Sequence, residues 1–286
     1  MRNYLKTGLL LIALTLLLVG IGHLLGGAQG ATTAFMFAML INLGSYWFSD
    51  KIVLAMYRAK PLSEAEGPAV YRAVREIAMR DHLPMPKLYL IPTITPNAFA
   101  TGRNPKHAAV AVTSGLLKLM SDEELKGVIA HELSHVKNRD TLIMTIAAAI
   151  AGAIGMLASW ARWGMMMGGR RDDRREGGNG AVQLVALLII AVLAPLAAML
   201  IQLAISRSRE YAADATGAKL AGTPQGLASA LEKLEQAVRA YPLEGANPAT
   251  VHLFIVNPLR ADALMRLFST HPPVEERVRR LRHMHL

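Results

Sequence analysis

The run His131-Glu132-Leu133-Ser134-His135 is where this sequence concentrates chemistry. Two histidines four residues apart share one face of a helix. Both imidazoles can then reach a single zinc ion at about 2.0–2.1 Å. The glutamate beside the first histidine faces the remaining coordination positions and can take a proton from an activated water. The plainer reading is a surface helix that happens to hold two histidines. Ser121 and Glu124 weigh against it. They have capping-box spacing, with Met120 and Leu125 placed as the hydrophobic staple, so a helix through His131 and His135 is expected on independent grounds.

A catalytic zinc takes a third protein ligand and leaves a position open. The chain has no cysteine, so thiolate ligands and disulfides are excluded and the third ligand of one Zn2+ per chain is a histidine or a carboxylate. Glu210, in Arg209-Glu210-Tyr211-Ala212-Ala213-Asp214, is the best candidate, with an ordinary charged helical residue as the alternative. Asp214, four residues on, can accept the free N–H of a zinc-bound histidine and fix its tautomer. A salt bridge to Arg207 or Lys219 is the competing role. His271, in Ser269-Thr270-His271-Pro272-Pro273, could donate to the oxyanion of a tetrahedral intermediate, or could equally be a structural histidine at a turn. His23 reads as a residue at a span end, and Met165-Met166-Met167 as an interfacial loop.

The elements that must position these residues begin with apolar runs. Of 286 residues 52% are apolar and only 18% charged, against a usual charged share of about 25%. Between Thr7 and Ser49 only His23 could carry charge, and Thr141 to Ala161 and Gly177 to Ser206 are uncharged. A membrane-spanning helix needs roughly 20 mostly apolar residues, so four spans are expected. Residues 1–49 form a transmembrane hairpin split at Gly26 to Gly30. Residues 50–140 are a polar segment carrying the His-Glu helix. Residues 141–206 form a second hairpin with a loop at 162–180, and residues 207–286 a second polar segment with the third ligand. A signal peptide is the alternative at the N-terminus, but the apolar run is too long for a usual signal core and a second run follows at once.

Within the polar segments Ser63 and Glu66 open a helix toward Arg80, and Leu83 to Pro86 breaks it. Lys87 to Ile91 and Ala108 to Val112 read as strands. Arg207 to Leu220 continues as a polar helix, Thr223-Pro224 starts another, and the tail is a Pro-Pro turn followed by a basic helix. His135 lies six residues before the third span and Glu210 five residues after the fourth ends. At 1.5 Å per residue these are roughly 9 and 7.5 Å from one membrane face, so the three ligands share a depth.

The formal net charge of +10 is assigned to an anionic membrane surface rather than to nucleic acid, because the polar segments lie between apolar spans and no nucleic-acid motif is present. Arg2, Lys6, Lys51, Arg58 and Lys60 flank the first hairpin, which places both termini and the active site in the cytoplasm. Arg162, Arg170, Arg171, Arg174 and Arg175 in the second loop disagree in part, and leave a re-entrant second hairpin open. The flanks of the His-Glu motif are too charged for a site inside the bilayer. The other rivals are a CAAX prenyl-protein protease, for which four spans look too few, and a non-catalytic zinc-binding membrane scaffold or transporter subunit.

Pro96 to Gly102, Val128 to His135, Ser206 to Asp214 and Thr270 to Pro273, with four spans, together resemble the HtpX family of membrane zinc metalloproteases over essentially the whole chain. The resemblance implies a mainly α fold with a small β-sheet: a four-span helical membrane protein carrying a zincin-like (gluzincin) metallopeptidase domain. It implies His131, His135 and Glu210 as ligands and Glu132 as base. The implied activity is endopeptidase cleavage of misfolded or damaged membrane proteins at the cytoplasmic face of the inner membrane, as part of quality control and the stress response. Partners are then membrane-protein substrates and the bilayer; a homo-oligomer is left open. The stretch Lys106 to Thr113 is expected to offer an edge strand to an extended peptide.

Overall fold

The computed structural model describes residues 2–150, 207–240, 253–256 and 272–286. The first element, α1 (Arg2–Met56), is two arms joined where Gly26 (φ −146°, ψ 22°) and Gly27 (φ 58°, ψ −146°) leave helical geometry. The arms fold back on one another, with Asn42 Nδ2 donating to Thr15 Oγ1 at 2.8 Å. Leu9, Leu16, Phe35, Met36, Phe37 and Leu40 are among the large apolar side chains that α1 leaves exposed. Among the described residues no helix is long and apolar enough to cross a membrane. Residues 151–206, with the loop and most of the second expected hairpin, lie outside the described residues.

The rest is mainly helical around one small mixed sheet. Its strands are β1 (Lys60–Pro61), β2 (Lys87–Ile91), β3 (Ala98–Thr101) and β4 (Ala109–Thr113), in the order β1-β2-β4-β3. β2 and β4 are parallel, and the two outer pairs are antiparallel. The expectation for Lys87 to Ile91 holds, and the second expected strand is displaced by one residue. The edge-strand expectation is corrected: β4 lies between β2 and β3, so the edge strands are β1 and β3. β4 is buried on both faces, its valines on one side and its alanines on the other, which is the signature of an inner strand.

The helices are α2 (Pro68–Arg80), α3 (Ser114–Leu119), α4 (Asp122–Lys137), α5 (Arg207–Ala221), α6 (Gln225–Ala240) and α7 (Val274–Arg282). The Ser63–Glu66 box forms, with Glu66 Oε2 accepting from Ser63 N–H at 3.1 Å, but it closes a turn rather than opening α2. The residue before a proline avoids the helical region. Gly67 (φ −135°, ψ 55°) does so, and α2 starts afresh with Pro68 in its first turn. The Ser121–Glu124 box opens α4 as expected.

One face of the sheet and the helices share a core in which Val74, Val110, Val128, Ile129, Leu231 and Leu281 are buried. On the other face Phe99, Ala109 and Ala111 meet Val53 and Leu54 of α1 and Ala148. The sheet thus stands between the helices that carry the chemistry and the hairpin side. Residues 141–150 are helical and buried, and Leu142, Ile146 and Ile150 pack against Leu11, Leu18 and Tyr46 of α1.

Candidate active site

Helix α4 is buried along nearly its whole length, so His131, Glu132 and His135 sit inside the protein at 1%, 5% and 3% exposure. The partner helix α5 presents Glu210, Ala213, Asp214, Gly217, Ala218 and Ala221 as one buried stripe at helical spacing. Its small residues let it lie against α4: a Cβ on Gly217 would stand 2.9 Å from His131 Cα. That close approach carries Glu210 and Asp214 to the histidines.

His131 Nε2 is 3.8 Å from Glu210 Oε2, and His135 Nε2 is 3.7 Å from Glu210 Oε1. The ligating atoms of the three residues all lie within 4.8 Å of one another, a group that could hold a metal ion. Gaps of 3.7 and 3.8 Å are too long for hydrogen bonds. They approach the roughly 3.4 Å that separates two ligands of a tetrahedral zinc with bonds of about 2.1 Å. The rings stand nearly perpendicular, 87° apart, with both Nε2 atoms turned to the carboxylate. Burial pulls the His135 imidazole down, but Asp140, Glu210 and Glu132 outweigh it and lift it to about 9. Burial holds His131 below its usual range despite Asp214. Three carboxylates, Asp140, Glu210 and Glu132, thus surround His135 and act against its burial. A dication fits two imidazoles and a carboxylate in this arrangement.

Asp214 Oδ1 lies 3.0 Å from His131 Nδ1, an ion-pair contact on the side of the ring away from Glu210. Its ion-pair partner is neither Arg207 nor Lys219 but Arg277 of α7. Arg277 Nε donates to Asp214 Oδ2 at 2.9 Å and Nη2 to Oδ1 at 2.7 Å. Burial pushes the Asp214 carboxyl up, yet Arg277 more than offsets this and holds it at about 2. Arg277 is fully buried, and its Nη1 donates to Ile255 C=O at 2.9 Å.

Glu132 Oε2 accepts from the Ala100 N–H at 2.8 Å. The base candidate is thereby tied to β3, an edge strand of the sheet. Burial pushes its carboxyl up to about 7, against the pull of His135 and the Ala100 N–H. Asn97, just before β3, grips the segment at 253–255: its Nδ2 donates to Leu253 C=O at 3.5 Å and its Oδ1 accepts from Ile255 N–H at 3.2 Å. His271 lies outside the described residues.

Sequence reasoning missed Arg277, Asn97 and Asp140. Arg277 did leave a signal. It interrupts the apolar stripe Val274, Val278, Leu281 of a basic helix, on the stripe's own face, where an arginine is buried only if paired.

The profile described as Peptidase family M48 matches residues 64–285. The "Protease HtpX homolog" of Syntrophobacter fumaroxidans is 56% identical over 284 residues, covering 99% of this chain and 100% of that protein. The protein of the same name from Pyrococcus furiosus is 57% identical over 279 residues, covering 98% and 95%. That from Syntrophotalea carbinolica is 57% identical over 284 residues, covering 99% of each. Among solved structures, S. mikatae Ste24p aligns with a TM-score of 0.49 and 20% identity, over 86% of this chain and 57% of that one, a likeness too slight to carry an argument.

Proposed function

The chain belongs to peptidase family M48 and is a metalloprotease; on that premise we propose that it is a zinc-dependent endopeptidase of a cell membrane, acting on misfolded or damaged membrane proteins at the cytoplasmic face. The observation that carries the zinc and the chemistry is the convergence of His131, His135 and Glu210 with Glu132 beside them. His131, His135 and Glu210 would hold the zinc. When bound, zinc supplies Lewis acidity, polarising a carbonyl and drawing down the pKa of water. Glu132 takes a proton from the attacking water and later gives it to the leaving amine nitrogen, while the water oxygen joins the acyl carbon and the C–N bond breaks. A carboxyl near 7 suits both halves of that transfer. Asp214, locked by Arg277, holds His131 in one tautomer. His271 is kept as the oxyanion donor.

An extended substrate segment would pair with β3, whose Ala100 N–H already faces Glu132. Backbone pairing tolerates varied side chains, which suits damaged proteins. The membrane reading rests on the four apolar runs and on the outward apolar side chains of α1. The cytoplasmic assignment rests on the basic residues that flank the first hairpin.

The test compares purified full-length protein with Glu132→Gln on casein, an unfolded membrane protein and a prenylated CAAX peptide. The variant is expected to keep its zinc and lose at least about 10²-fold in turnover. Wild-type turnover by the variant refutes the base assignment, and cleavage confined to the prenylated peptide refutes the substrate class. In cells, the same variant should retain membrane proteins as trapped substrates.

A further inference from the structure

We infer that Asp140 is the positioning residue of the second imidazole ligand, as Asp214 is of the first; the inference rests on the zinc reading above. Asp140 is buried at 3% exposure, and its Oδ2 lies 3.5 Å from His135 Nδ1, an ion-pair contact that a small ring rotation would close to a hydrogen bond. Across the site Asp214 Oδ1 lies 3.0 Å from His131 Nδ1. Each ring therefore turns Nε2 toward Glu210 and Nδ1 toward its own carboxylate. A carboxylate on the far nitrogen keeps the proton there, leaves Nε2 free to ligate, and raises the ligand's basicity.

The backbone explains how a residue five beyond His135 returns to it. Helix α4 ends at Lys137, and Arg139 takes a left-handed conformation (φ 58°). That reversal brings Asp140 N–H back to donate to His135 C=O at 2.9 Å. The chain then restarts as a helix at Thr141, with Met144 N–H donating to Asp140 C=O at 3.3 Å. Asp140 thus stands at the joint between the ligand helix and the helix that packs on α1. Through it, the orientation of His135 depends on how the hairpin side is seated.

The plainer account is that Asp140 only starts the helix at Thr141. Asp, Asn and Ser serve that position about equally, so substitution separates the two roles. In Asp140→Ser the start signal stays but the side chain no longer reaches His135. In Asp140→Asn size and start signal stay, and a neutral oxygen can still accept the ring N–H.

The experiment uses full-length protein in detergent and measures zinc affinity by competition with a chromogenic chelator, helicity of the zinc-free protein by circular dichroism, and the visible spectrum of the Co2+-loaded protein. Asp140→Ser is expected to weaken zinc binding about 10–100-fold and to alter the Co2+ bands while helicity holds. Asp140→Asn should fall between it and wild type. Zinc affinity in Asp140→Ser within about threefold of wild type overturns the inference, as does a loss in either variant that only follows lost helicity. Should wild type bind no zinc, the metal reading itself fails. Should wild type and both variants bind alike, only the role of Asp140 fails.

Discussion

Replacing Arg277 by methionine tests the deepest commitment of this fold. Methionine keeps much of the volume of the side chain and removes the guanidinium. Arg277 is wholly buried; it donates twice to Asp214 and once to Ile255 C=O, and its Nη2 lies 3.5 Å from His131 Nε2. Among the described residues, the substitution leaves the Asp214 carboxylate, 3% exposed, with His131 as its remaining charged or polar partner. Removing one partner of a buried ion pair costs about 3–5 kcal/mol, because the other charge stays buried without compensation. The loss of zinc positioning comes on top of this, so the measurement is made on zinc-free protein: urea unfolding followed at 222 nm. The expected loss is about 3–5 kcal/mol. The double variant Arg277→Met with Asp214→Leu removes both charges. It should recover most of the loss, since apolar replacement of a whole buried pair is often neutral, while still failing to hold zinc. A single variant within about 1 kcal/mol of wild type, or a double variant no more stable than the single, refutes the argument that this pair holds the site together.

Gly217→Ala puts a methyl group 2.9 Å from His131 Cα and so pushes α5 off α4. Zinc affinity should fall at least tenfold with α5 still helical, as read by chelator competition beside circular dichroism. The Asp214 carboxyl sets an acid limit. Burial raises it, Arg277 outweighs burial, and it sits at about 2, below its ordinary 3.8. A depressed folded value means that its stabilisation is complete above pH 3.8 and is lost as pH falls toward 2. Unfolding profiles of wild type and Asp214→Asn should therefore converge across that window and stay parallel above it.

Local signals were legible in the sequence wherever one element decides its own form. The Ser121–Glu124 box starts α4 because cap and helix lie within four residues. The 131/135 spacing puts two imidazoles on one face through helix geometry alone. The expected break of α1 at Gly26 falls where glycine freedom permits φ 58° at Gly27. At Gly67-Pro68 two local signals conflict, and the proline prevails because it restricts the residue before it. Strand order is not a local property, which is why β4 was expected at an edge and lies inside. Arg277, Asn97 and Asp140 are separated from their partners by a chain reversal or by tens of residues. Only tertiary packing brings Arg277 to Asp214, 63 residues away, and the Ala100 N–H to Glu132, 32 residues away. The sequence by itself determined which residues can ligate and which helix carries them. The tertiary structure decided how those ligands are aimed, because aiming depends on buried partners that no spacing rule connects.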